Sequence, residues 1–196
     1  MKKCISVAAL AATALLSTSA WSQWYLGAAP GVATSRLGGS AGGLALTARD
    51  AHNVSLKMFG GYQFNEHLGV EAQYADLGRF GYTACAGAVC NNGSVHARQW
   101  GLAGVGTWPL KDNYFLTAKL GVTQNHLRGA TFCAGAACAD GGNGTRTDLL
   151  AGVGVGYRFN RNISMLLEYE HFGKLMSAGG FSAKTDNWSA NLRYEF

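Results

Sequence analysis

The sequence predicts an all-β protein, an eight-stranded antiparallel up-and-down β-barrel that crosses a membrane. Three observations carry this expectation. Apolar and polar residues alternate in eight segments, each close to the ~9–11 residues a tilted strand needs to cross a bilayer. The connections between those segments alternate between short and long. No stretch after residue 22 approaches the ~18 continuous apolar residues of a helical span.

Residues 1–22 are expected to be a secretory signal that is removed, and residues 23–196 the barrel domain. Lys2 and Lys3 form a positive start, Ile5 to Leu16 an apolar run, and Ala20 and Ser22 small residues ahead of Gln23. Cleavage after Ala20 is the alternative. The apolar run is shorter than the ~20 residues of a membrane anchor. Cys4 precedes it, which argues against lipid attachment. Loss of Lys2 and Lys3 lowers the formal charge from +5 to +3, with 14 basic residues left against 11 acidic ones. No Lys/Arg run is present, so no nucleic-acid partner is expected.

The strands follow in order. Segment 24–34 opens with Trp24 and is weakly alternating. In 54–64, Val54, Leu56, Met58, Tyr62 and Phe64 oppose Ser55, Lys57, Gly61 and Gln63. In 68–76, Leu68, Val70, Ala72 and Tyr74 oppose Gly69, Glu71 and Gln73. Segment 96–108 is again weaker and ends on Trp108. In 114–124, Leu116, Ala118, Leu120 and Val122 oppose Thr117, Lys119 and Thr123. In 149–159, Leu149, Val153, Val155, Tyr157 and Phe159 oppose glycines and Arg158. In 163–171, Ile163, Met165, Leu167 and Tyr169 oppose Ser164, Glu168 and Glu170. The final strand sets Trp188, Ala190, Leu192, Tyr194 and Phe196 against Asn187, Ser189, Asn191, Arg193 and Glu195. In a membrane barrel the apolar set faces lipid and the polar set lines the interior.

Residues 65–67, 109–113 and 160–162 are expected to be short periplasmic turns. Residues 35–53, 77–95, 125–147 and 173–186 are expected to be long extracellular loops. An even strand number returns both termini to the periplasm. The 28 glycines suit a narrow, curved barrel. Two prolines and the absence of a fixed glycine period exclude a collagen-like chain. Aromatic belts are expected at both interfaces: Trp24, Phe64, Trp108, Phe159 and Phe196 at the turn end, and Tyr74, Trp100, Tyr169 and Trp188 at the loop end. Trp188, Leu192, Tyr194 and Phe196 are expected to form a C-terminal assembly signal, read by the barrel-assembly machinery with periplasmic chaperones as further partners.

Residues 56–79, LKMFGGYQFNEHLGVEAQYADLGR, resemble the membrane domain of OmpA-type outer-membrane proteins. The shared features are F-G-G-Y-Q, the Asn-initiated turn, L-G-V-E with its Glu turned inward, and Y-A-D-L-G-R. Trp24-Tyr25-Leu26-Gly27-Ala28, L-T-A-K-L-G at 116–121 and L-E-Y at 167–169 extend the resemblance. It implies a barrel in the outer membrane of a Gram-negative cell, with adhesive, protective or unknown surface roles. The peptidoglycan-binding domain of the full-length family is not expected, nor is cell-wall anchoring. In the family, the inward Glu of the third strand belongs to an ion-pair cluster proposed to gate a small pore. Glu71, Lys119 and Glu168 match that pattern, whereas the family's inward Lys on the fourth strand aligns with Val105.

Eight charges are expected inside: Lys57, Glu71, Lys119, Arg158, Glu168, Glu170, Arg193 and Glu195. Charges in a narrow lumen must be paired, and eight strands leave bore only for side chains. The expectation is a plugged barrel with a structural and surface-interaction role. The alternatives are a lipid-A-modifying enzyme and a small gated pore. Lipid A deacylases place His and Ser two apart on a strand so that the imidazole can activate the hydroxyl. No H-x-S occurs here, and Asp50, His52 and Ser55 have no specific spacing. No catalytic residue, cofactor or metal is therefore expected, and the barrel is expected to be a monomer. Arg98, Arg128 and Lys184 sit at loop ends of strands and are expected to meet lipopolysaccharide phosphates among the outer-membrane lipids. The loops are poor in large apolar residues, which argues against an adhesive apolar patch and leaves a host or phage ligand for the loop tips.

The hexapeptides CAGAVC at 85–90 and CAGAAC at 133–138 fall in the second and third loops. Four cysteines in an oxidising compartment allow three pairings. Local pairs close small loops, and the repeated hexapeptide favours Cys85–Cys90 and Cys133–Cys138 over a pairing between loops. A four-thiolate zinc site is disfavoured by the compartment.

Overall fold

The computed structural model describes residues 23–41, 44–48, 52–86, 88–128, 131–134, 137–140, 145–178 and 181–196. The expected signal segment and Asp50 lie outside them. The strands are β1 (Gln23–Ala41), β2 (Leu44–Ala48), β3 (His52–Gln63), β4 (Leu68–Ala86), β5 (Val89–Pro109), β6 (Tyr114–Arg128), β7 (Thr131–Ala134), β8 (Ala137–Asp140), β9 (Thr145–Arg158), β10 (Ile163–Ala178) and β11 (Phe181–Glu195). Eight of them, β1, β3, β4, β5, β6, β9, β10 and β11, pair antiparallel in chain order, and β11 pairs back onto β1 to close the ring. Closure removes both sheet edges, so no strand of the ring presents a free edge to lipid.

Alternation decides which face meets lipid. β6 reads exposed and buried almost residue by residue. Its outward Leu116, Leu120 and Val122 are exposed, while Phe115, Thr117, Lys119 and Thr123 are buried. Leu26, Leu56, Met58, Leu102, Val153, Met165, Leu167 and Leu192 continue the exposed apolar band around the ring. The belts form as cross-strand ring pairs. Tyr74 meets Trp100 at 4.6 Å and Tyr169 meets Trp188 at 5.1 Å at the loop end. Trp24–Tyr62 at 4.9 Å and Tyr114–Tyr157 at 5.0 Å lie at the turn end. Trp188, Leu192, Tyr194 and Phe196 all point outward and are about half exposed or more.

The short turns use asparagine in the same way twice. Asn65 Oδ1 accepts from the N–H of His67 and Leu68, at 2.9 and 2.8 Å. Asn160 Oδ1 accepts from Asn162 and Ile163, also at 2.9 and 2.8 Å. The side chain stands in for a backbone carbonyl and fixes the reversal. The third turn instead holds Asp112 and Asn113 at positive φ of 58° and 67°, a region these two residue types tolerate.

The long connections differ from expectation. β1 runs to Ala41 and β4 to Ala86, β5 starts at Val89, and β10 runs to Ala178, so much of what reads as loop is barrel wall. β2 takes the place of β3 at this level, pairing with both β1 and β4. Beyond the lipid, outward positions need not be apolar, so the sequence alternation fades. The backbone groups still need partners, and the ladder continues. A register shift between Asp76 and Gly78, with Gly78 at φ +77°, offsets the upper half of β4 from its lower half.

Cys85 and Cys90 lie opposite each other near the tip of the β4–β5 hairpin and are disulfide-bonded, with Cα atoms 4.1 Å apart. Cys133 and Cys138 hold the same opposed positions in the β7–β8 hairpin; their side chains lie outside the described residues. Non-reducing peptide mapping is expected to recover both local pairs. Free thiols at Cys133 and Cys138, or a peptide linking the two hairpins, would rule out the second staple.

Candidate functional site

The lumen is shaped by small residues set beside charged ones. Lys57 lies between Ala29 and Ala75, Glu71 between Gly61 and Ala103, Lys119 between Val105 and Gly152. Glu170 has Gly152 and Glu168 has Gly154 as neighbours on β9. These small neighbours leave the bore open for long side chains to meet across it. The inward aromatics use the same device, since Tyr25 lies over Gly61, Phe59 over Gly27 and Phe115 over Gly156, each directly opposite in register. A Cβ at any of the three would strike the ring, an arrangement of aromatic over glycine that also pins strand register.

The eight inward charges resolve into two groups. The central group holds Lys57, Lys119, Glu71, Glu168 and Glu170, all buried. Lys57 Nζ donates to Glu168 Oε2 at 2.5 Å and to Glu170 Oε2 at 2.6 Å. Lys119 Nζ donates to Glu71 Oε1 at 2.5 Å and lies 2.7 Å from Glu168 Oε1. Glu168 therefore bridges both ammonium groups, and Phe59 sits beneath them with its centroid 5.5 Å from each. Charge-assisted bonds of this kind are about twice as strong as neutral ones. The turn-end group pairs Arg193 with Glu195, Nε to Oε1 2.9 Å. The guanidiniums of Arg193 and half-buried Arg158 both lie over Phe115, at 5.7 and 5.6 Å.

Tyr25 joins the groups. Its hydroxyl donates to Glu71 Oε2 at 3.1 Å, and the Arg193 guanidinium lies 4.7 Å from its ring. The overall balance of four acids and four bases is thus divided, with two ammoniums against three carboxylates centrally and two guanidiniums against one carboxylate below. Tyr25 and Phe59 are functional residues that the charge pattern alone does not reveal. Their parity does, because each shares a face with the inward Gly27 and Ala29 or Ser55 and Lys57. Val105, at the position of the family's strand-four lysine, is buried and lies opposite Lys119.

Above the ions the lumen is mixed, with Gln73, Gln99, Thr123 and Asn125 buried among apolar side chains. Leu77, Phe80, Val95, Leu127, Leu150 and Phe172 are buried there. Asn125 Nδ2 donates to the carbonyl of Phe172 at 3.1 Å, fixing the bend at Gly173, whose φ is +64°. Buried amides and apolar side chains thus together fill the lumen above the ion pairs.

At the outer rim, the three expected surface cations separate. Arg98 and Arg128 share a recess with His96, His126, Tyr74 and Trp100. Lys184 lies on β11, opposite Arg36 of β1 and Lys174 of β10. Beside that row, Asp186 accepts from Tyr169 at 2.9 Å and meets His171 Nδ1 at 2.6 Å. Burial works to raise the Asp186 carboxyl, but its bonds to His171 and Tyr169 and the nearby Arg36 hold it below the usual carboxylate range. His52 and Ser55 do not form a catalytic pair. His52 faces outward against Thr34 Oγ1 at 3.0 Å, whereas Ser55 is buried in the lumen and donates to Asn187 Oδ1 at 2.6 Å.

A sequence profile of the OmpA-like transmembrane domain matches residues 19–196. No curated protein sequence matches. Among solved structures, OprG from Pseudomonas aeruginosa is similar at a TM-score of 0.57 and 12% identity, covering 90% of this chain and 97% of its own. Neisserial surface protein A is similar at 0.55 and 16%, covering 88% and 97%. Ail of Yersinia pestis, solved in complex with the heparin analogue sucrose octasulfate, is similar at 0.50 and 16%, covering 89% and 99%. At these identities the likeness is one of fold.

Proposed function

The chain belongs to the OmpA-like transmembrane domain family, and on that premise we propose that it is a non-enzymatic, structural and surface-interaction barrel whose lumen is held shut by ion pairs. It lies in the outer membrane with its hairpins at the cell surface and both termini in the periplasm. The single observation that carries the closed state is the continuous chain Lys57–Glu168–Lys119–Glu71 across the bore, overlain by buried Leu77 and Phe172. An ion crossing this section would have to displace paired, buried charges, at a cost of several kcal/mol. Surface interaction is supported by two basic groups at the rim, one on β5 and β6 and one on β1, β10 and β11.

The test is electrical. Purified, refolded protein in planar bilayers is expected to give no sustained single-channel current. Steady conductance from the unmodified barrel would replace the plug with an open pore.

A further inference from the structure

The outward wall of β4, β5 and β6 carries three stacked cross-strand rows at its loop end. The lowest is aromatic, Tyr74 opposite Trp100. The next is ionic, Asp76 opposite Arg98 and Arg98 opposite His126. The highest is basic, Arg79 opposite His96 and His96 opposite Arg128. Against three arginines and two histidines these rows set one carboxylate, Asp76, which already takes Arg98 Nε at 3.4 Å and His96 Nε2 at 2.8 Å. Three guanidiniums against one carboxylate leave this wall with net positive charge, which an anion would offset. Arg128 is exposed and forms no ion pair among the described residues, and His126 Nδ1 is buried there without a hydrogen-bond partner. The recess between these side chains measures about 290 Å³, near the ~300 Å³ lower limit of small-molecule sites.

From this arrangement we propose that the recess binds the phosphorylated headgroup of an outer-leaflet glycolipid, with Arg98 and Arg128 as its principal anchors. The site opens sideways, at the height of the aromatic belt that marks a membrane interface. Directly below it the wall is apolar, with Leu102, Leu120 and Val122 exposed, so acyl chains running down from a bound headgroup meet a matching surface. The rings of Tyr74 and Trp100, 4.6 Å apart, form a floor at the junction of headgroup and chain. Lys184 is on another part of the ring and takes no part. The proposal deepens the surface-interaction reading and rests on the barrel's place in the outer membrane.

The test uses the full mature barrel refolded into phosphatidylcholine nanodiscs, with bound lipid measured by native mass spectrometry during titration. The probes are diphosphoryl lipid A, the same glycolipid stripped of phosphate, inorganic phosphate and a sulfated oligosaccharide. Lipid A is expected to bind, and removal of its phosphates to weaken binding at least about tenfold, the worth of one charge-assisted hydrogen bond. R98Q/R128Q is expected to lose at least as much, while K184Q binds as the parent does. Equal binding of the two glycolipids, or by R98Q/R128Q, would overturn the proposal. Displacement of lipid A by inorganic phosphate would make this a free-phosphate site, and displacement by the oligosaccharide a glycan site, each ending the lipid assignment. Heat-modifiable migration of R98Q/R128Q on gels confirms that it folds. A folded, inserted and non-conducting barrel that retains no lipid A fails this inference alone, whereas a conducting barrel fails the closed-lumen reading instead.

Discussion

Replacement of Lys119 by methionine is expected to destabilise the barrel by about 3–5 kcal/mol, the usual cost of removing one partner from a buried ion pair. Lys119 contacts Glu71 at 2.5 Å and Glu168 at 2.7 Å. Without it, Lys57 alone faces three buried carboxylates, and Glu71 keeps the Tyr25 hydroxyl as its donor. Methionine preserves most of the volume, so the loss reports charge, the ammonium's attraction to the Phe59 ring included, and not packing. Urea unfolding of the protein refolded in lipid bilayers measures it. Adding Glu71→Gln to the lysine variant is expected to recover about 1 kcal/mol or more, within the range of coupling between contacting groups. A Lys119→Met barrel within about 1 kcal/mol of the parent would show that the cluster does not hold the lumen together.

The second large effect is steric. Gly121→Ala is expected to prevent stable closure between β5 and β6, with a cost of at least about 3 kcal/mol, the upper end for an overpacked site. A Cβ at Gly121 would meet the Leu102 carbonyl oxygen, with Ala103 Cα at 2.5 Å and Ala103 Cβ at 2.8 Å. These are backbone and a side chain with no rotamer to change, so relief requires the strands to separate. Gly104→Ala, on the adjacent strand but facing lipid, is the matched control. Its nearest neighbour is the Leu120 carbonyl oxygen at 3.8 Å, so its effect is expected to stay within about 0.5 kcal/mol. The fraction of heat-modifiable, folded protein after refolding reads both. Equal folding of the two alanine variants would mean that the inward glycines are not what sets strand spacing.

Both results turn on side-chain direction, which the sequence carries plainly in the spanning region. A strand's period is two, so the apolar positions of 54–64, 114–124 and 163–171 identify the lipid face, and the residues between them face the lumen. The short asparagine turns are legible for a similar reason, because a side chain fixes the backbone within three residues. The hairpin extensions of β4, β5 and β10 are less so. Past the lipid the solvent no longer sorts outward from inward positions, and only backbone pairing, which has no residue code, continues the wall.

By itself, then, the amino-acid order determined the number of spans, their inward charges and the outward belts, since each follows from local alternation against a hydrocarbon layer. Partnership was decided only in three dimensions. Lys57 reaches Glu168 across 111 positions of chain, and Lys119 reaches Glu71 across 48, through a bore whose width depends on ring closure and on which glycines lie opposite which aromatics. Ring position likewise separated Arg98 and Arg128 from Lys184, three cations of the same rim. Strand register and the Asp76–Gly78 shift gathered the first two beside His96, His126 and Asp76, and no spacing along the chain encodes that neighbourhood.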